Sequence, residues 1–145
     1  SLCAAVLVVL TLAQCLSCAS AGMTWRACEG RSDPLVPSQV VLTPDPPVIG
    51  SPATFTVSAD SSVDAVTAGT VEMTIMFGGV DIYTNSEDLC AKTTCPMQKG
   101  PVTITLVEDL PPIAPPGTYG MRLEGHGAQK EELFCLVVEF ELVPP

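Results

Sequence analysis

Five stretches of this chain alternate apolar and polar side chains with a period of two, and this pattern limits the possible fold more than any other feature. Ala53, Phe55, Val57 and Ala59 are separated by Thr54, Thr56 and Ser58. Val71, Met73, Ile75 and Phe77 are separated by Glu72, Thr74 and, less cleanly, Met76. Val102, Ile104 and Leu106 alternate with Thr103 and Thr105. Tyr119, Met121 and Leu123 alternate with Gly120, Arg122 and Glu124. Phe134, Leu136, Val138, Phe140 and Leu142 alternate with Cys135, Val137, Glu139 and Glu141. Successive side chains of a strand point to opposite faces, so each run reads as a strand with one buried face. Residues 38–43 form a further short strand candidate.

Breakers separate the runs. Pro44-Asp45-Pro46-Pro47 and Gly50-Ser51-Pro52 bracket one connection, and a stiff proline-rich stretch over residues 111–117 precedes the Tyr119 run. Gly78-Gly79 is expected to bend or bulge a strand that resumes at residues 80–83. Gly125-His126-Gly127 is expected at a hairpin tip. No stretch sustains a helical apolar period, and regularly spaced strands with turn signals indicate an all-β sandwich or barrel.

Residues 1–21 carry no charged side chain. Residues 4–16 are mostly small and aliphatic, and Ala19-Ser20-Ala21 offers a small-x-small cleavage site before Gly22. This reads as a secretory signal peptide, clipped at its N-terminus, followed by one domain over residues 22–145. The apolar run is short for a membrane span, which needs about 20 residues. Three cysteines, Cys3, Cys15 and Cys18, fall in that segment, leaving Cys28, Cys90, Cys95 and Cys135. An even count in an exported domain implies disulfides, with three possible pairings. Cys90 and Cys95 most naturally close a small loop, which leaves Cys28 with Cys135. The C-x4-C spacing is not a standard zinc pattern, so no metal site is expected.

The chain has 6 basic and 16 acidic residues, a net charge of -10. Such a chain repels a polyanion, which argues against nucleic acid as a partner. A catalytic base must be held within hydrogen-bond reach of its partner, and His126, the one histidine, is expected in a mobile, exposed tip. No nucleophile elbow or phosphate-cradling glycine loop is present. The chain therefore does not read as an enzyme, and no cofactor is implied. Glu72, Glu124, Glu139 and Glu141 fall on outward strand positions and form a solvated face.

What remains is the apolar face. The expected inward set is Phe55, Val57, Met73, Ile75, Phe77, Ile82, Val102, Ile104, Leu106, Tyr119, Met121, Leu123, Phe134, Leu136, Val138 and Phe140, with no charge at any inward position. Two sheets packed tightly on these residues would form an ordinary core. Sheets held apart would line a pocket suited only to an apolar ligand, and burying roughly 400 Å² of such a ligand gains about 10 kcal/mol gross. The methionines would let the wall adapt to different shapes. The filled-core alternative is an immunoglobulin-like adhesion or glycan- or protein-binding module.

Asp88-Leu89-Cys90-Ala91-Lys92-Thr93-Thr94-Cys95-Pro96 resembles the D-x-C-x(4 or 5)-C-P segment of the ML (MD-2-related lipid-recognition) domain family. That family includes the Niemann-Pick type C2 sterol-binding proteins and the phosphatidylglycerol/phosphatidylinositol transfer proteins. Gly50-Ser51-Pro52-Ala53-Thr54-Phe55, Pro116-Gly117-Thr118-Tyr119 and Leu133-Phe134-Cys135 resemble its plant-type members, in order along nearly the whole domain. The resemblance implies an immunoglobulin-like β-sandwich of two antiparallel sheets that splay to admit a lipid, and the pairings Cys28–Cys135 and Cys90–Cys95. It implies a pocket mouth at Ile82-Tyr83 and Pro112-Ile113 near Tyr119, and a deeper wall at Leu136 and Val138. Trp25 is expected to lie before the domain proper. A third disulfide found in sterol-binding animal members is missing here, so the ligand is a sterol or a phospholipid. The implied protein is a monomeric carrier in the secretory pathway, extracellular or in a vacuolar or lysosomal lumen, that docks transiently on a membrane or membrane protein.

Overall fold

A computed structural model describes residues 22–145. The signal-peptide expectation over residues 1–21 lies outside the described residues. Eight strands appear among those described: β1 (Thr24–Ala27), β2 (Leu35–Thr43), β3 (Pro52–Ser61), β4 (Gly69–Phe77), β5 (Val80–Asp88), β6 (Gly100–Asp109), β7 (Gly117–Gly127) and β8 (Glu132–Leu142). They form an antiparallel five-stranded sheet, β1-β8-β7-β4-β5, and an antiparallel three-stranded sheet, β2-β3-β6. The molecule is an all-β sandwich with an immunoglobulin-like arrangement.

All five alternating runs are strands, and their apolar phase faces the partner sheet. In β3 the buried positions are Ala53, Phe55, Val57 and Ala59; in β6 they are Val102, Ile104 and Leu106. A turn of 3-10 helix (Leu89–Ala91) follows β5, capped by Asp88, whose Oδ1 accepts from the Cys90 amide at 3.0 Å. The disulfides are Cys28–Cys135 and Cys90–Cys95, with Cα atoms 5.3 and 5.5 Å apart.

Several local expectations are corrected. Trp25 is part of the domain: it lies in β1 and pairs with Val138 at the edge of the larger sheet. A strand of 4 residues is too short to show a period. Gly78-Gly79 is not a bulge inside a strand but the two-residue turn of the β4–β5 hairpin, with Phe77 opposite Val80. Both glycines have positive φ, 60° and 77°, as the tight turns that match strand twist require. The bulge is further on: Ile75 pairs with Tyr83 and Met76 with Asp81, leaving Ile82 as the extra residue. His126 is not at a hairpin tip. It lies within β7, a central strand, opposite Thr70 of β4 and Glu132 of β8, and its Nε2 stands 3.9 Å from Glu124 Oε2. The tip follows at residues 128–131, where the Gly127 amide donates to the Glu131 carbonyl at 2.9 Å.

Unequal strand number decides how the sheets cover one another. Their backbones approach most closely between β2 and β8. With strands about 4.8 Å apart, β3 and β6 can then reach over β7 and β4, and β5 is left overhanging. Most of β5 is accordingly exposed and polar, which suits an edge strand.

Candidate functional site

The interior of the sandwich has two parts. One part consists of inward side chains that do not border the cavity described below. Val57, Ile104, Leu106, Leu123, Phe134, Leu136 and Val138 are all essentially inaccessible, and Val102 is nearly so; Leu106, Leu123 and Val138 lie directly across from Phe55, Met73 and Met121. Phe134 packs so closely on β7 that a Cβ on Gly125 would lie 2.2 Å from its ring. Toward the end where the β4–β5 turn and the proline-rich loop lie, the sheets enclose a cavity of about 510 Å³.

The cavity unites part of the expected set. Phe55 of β3, Met73 and Ile75 of β4, Tyr119 and Met121 of β7 and Phe140 of β8 line it, and Ile82, Tyr83 and Ile113 stand at its mouth. Phe55, Phe140 and Tyr119 form an aromatic wall. Phe55 and Phe140 ring centroids are 5.7 Å apart, and Tyr119 stacks on Phe140 at 6.1 Å with 10° between planes. Phe77 has its ring 4.7 Å from that of Tyr119 and does not line the cavity.

The rest of the expected set is not there. Val57, Val102, Ile104, Leu106, Leu123, Phe134, Leu136 and Val138, including the two residues implied as a deeper wall, are buried and stand outside the lining of this cavity. Their inward phase is the same as that of the lining residues, and period alone does not show where the sheets part. Pro112 is exposed and outside the lining, while its neighbours Pro111 and Ile113 are within it. Ile82, expected among the buried face, is 55% exposed because it is the bulged residue of an overhanging strand; Tyr83 beside it is 54% exposed and Ile113 is 90% exposed.

The sequence reading also missed residues. Leu110, Pro111, Ala114 and Pro115 of the β6–β7 loop roof the cavity, and Leu142 extends the β8 wall by one step. Tyr119 fixes that roof: its hydroxyl donates to the Pro115 carbonyl at 2.8 Å. Burial raises the Tyr119 hydroxyl pKa above its ordinary value. The expectation of no charge at an inward position is overturned by Glu108, which continues the Val102, Ile104, Leu106 phase of β6 and lines the cavity, with Asp109 next to it. Extending that period by one more pair would have found it.

The ML-domain family model matches residues 22–142. The chain belongs to the ML-domain family. A phosphatidylglycerol/phosphatidylinositol transfer protein of Neurospora crassa is 30% identical over 117 residues, 76% of this chain and 65% of that protein, so the ML domain here spans just under two thirds of that relative's length. A crystal structure of a Niemann-Pick type C2 protein from the Japanese carpenter ant superposes with a TM-score of 0.67 at 14% identity, over 82% of this chain and 98% of that one. Chicken MD-1, crystallised in complex with lipid IVa, gives a TM-score of 0.56 at 13% identity over 82% and 88%. These likenesses show that the ML domain shares its fold with both.

Proposed function

We propose that this ML domain is a secreted lipid carrier. It holds the apolar part of one sterol or phospholipid between its sheets and moves it without covalent chemistry. The observation that supports this reading is the cavity of about 510 Å³ lined mainly by aromatic and aliphatic side chains. Its size falls in the range of about 300–1,000 Å³ usual for small-molecule sites. A filled-core adhesion module has no use for such a space. The names of the transfer-protein relative and of the lipid-bound MD-1 structure favour the same class of ligand.

Exposed Val80, Ile82, Tyr83 and Ile113 support transient docking on a membrane, mouth first. Apolar side chains clustered at an opening mark an interaction surface. The protein acts as a monomer in this reading. The two disulfides favour an oxidising compartment, extracellular or a vacuolar or lysosomal lumen.

The test is native mass spectrometry of the purified protein after exposure to a total lipid extract. A one-to-one lipid adduct is expected, and a protein that emerges free of lipid under all conditions refutes carriage. Ile113→Asp should slow transfer between donor and acceptor vesicles several-fold while leaving the adduct in place; unchanged transfer would refute docking by the mouth.

A further inference from the structure

The one carboxylate at an inward strand position of the cavity is also left without a partner. Glu108 follows Leu106 on the buried phase of β6, at the strand end that borders the mouth. Its Oε1 is shielded from solvent and accepts no hydrogen bond among the described residues. The nearby cation does not serve it: Lys92 is engaged in an ion pair with Glu87. Burial, and then the neighbouring Glu87 charge, push the Glu108 carboxyl above the ordinary glutamate range, with Lys92 opposing and Asp109 adding slightly. Buried polar groups in native proteins nearly always have a partner, and one left unmet has a cause. The surroundings limit what that partner can be. The other polar side chains of the lining are Asp109 and two tyrosines, and the Tyr119 hydroxyl already donates to Pro115. A second anion beside Glu108 and Asp109 would be repelled, and an acceptor without a proton would leave Oε1 as it is.

We propose that Glu108 is a specificity-determining residue of the cavity, accepting a hydrogen bond from an uncharged hydroxyl on the polar end of the bound lipid. This rests on the carrier reading and sharpens it. The apolar body fills the space between Phe55, Ile75, Met121 and Phe140, and the hydroxyl-bearing end lies at the β6 side of the mouth. Aliphatic and aromatic walls alone distinguish ligands by shape; Glu108 adds a requirement for a donor. A site built to bond a hydroxyl rejects the analogue without it far more strongly than an apolar wall rejects an extra methyl group.

The experiment compares lipids that differ in the donor alone. The purified protein is offered equimolar diacylglycerol and its O-methyl ether, and separately a sterol and its 3-O-methyl ether, with bound ratios read by native mass spectrometry. The alcohol of at least one pair should be preferred about tenfold or more, the scale of a hydrogen bond to a charged group. In Glu108→Leu the preference should fall to near one. Glu108→Gln, which keeps a carbonyl acceptor without the charge, should be intermediate, and it decides the matter if the leucine variant fails to fold by thermal unfolding. Equal binding of alcohol and ether by the unaltered protein overturns this proposal and leaves the carrier reading standing. So does a preference that survives in Glu108→Leu. Failure of the unaltered protein to bind any of the four lipids overturns this proposal, and the carrier reading falls with it only if the total lipid extract also yields no adduct.

Discussion

The hydroxyl of Tyr119 donates to the carbonyl of Pro115 at 2.8 Å, tying the proline-rich loop to the wall it roofs. A tyrosine near the start of a sandwich strand that bonds back a few residues upstream is a recurrent device of immunoglobulin-like folds. Here it fixes one boundary of the cavity. Tyr119→Phe should cost about 1 kcal/mol of stability. The Ala114 amide, which donates to the Pro111 carbonyl at 3.1 Å within the same loop, should lose protection in hydrogen exchange. Unchanged exchange at Ala114 would show that the loop is held by other contacts.

Filling the cavity and charging a buried position outside its lining should have different consequences. Ile75 lines the cavity and is half-buried, so Ile75→Trp should occupy ligand space and weaken lipid binding by tenfold or more with little change in the thermal midpoint. Val138, paired across the strand with Met121, is fully buried and does not itself line the cavity. Val138→Glu should prevent folding, because an unpaired buried charge costs several kcal/mol. Lipid titration and thermal unfolding of the two variants would check both expectations.

Gly125 stands where any side chain would meet the Phe134 ring. Gly125→Ala should destabilise the protein by about 1–3 kcal/mol through overpacking, measured by chemical denaturation. The cavity lies at the other end of the sandwich, so affinity per folded molecule should be unaffected.

The Cys28–Cys135 bridge closes a loop with a sequence separation of 107. In the chain-entropy account its loss costs about 4–5 kcal/mol, against about 2 kcal/mol for the short Cys90–Cys95 loop. Replacing Cys28 and Cys135 together by serine should therefore lower the thermal midpoint much more than replacing the other pair.

Burial raises the Glu108 carboxyl above its unfolded value, so the folded state holds a proton that the unfolded chain has released between the two values. The resulting penalty is absent below the ordinary glutamate range. It grows as pH rises through the window up to the raised value and persists above it. Glu108→Gln should thus raise the thermal midpoint relative to the unaltered protein at neutral pH, and that advantage should shrink as pH falls below the ordinary glutamate range. An advantage independent of pH would mean that the ionised carboxylate is not the source.

The period-two runs determined the strands and their buried faces, because alternation along a strand is a local consequence of backbone geometry. They assigned Phe55, Met121 and Phe140 to the interior as surely as Val57, Leu123 and Val138. The close spacing of Cys90 and Cys95 indicated their bridge in the same local way, and Cys28–Cys135 was the pairing that remained. Which of those interior residues line the cavity was decided only by tertiary structure. Three strands cannot cover five, the proline-rich loop stands off the sheet edge, and a bulge turns Ile82 out to the mouth. Inward positions that look identical along each strand therefore differ in whether they border the cavity, even between direct cross-strand partners such as Met121 and Val138. That difference depends on the separation of two sheets whose strands are distant in sequence, and no single strand's pattern contains it.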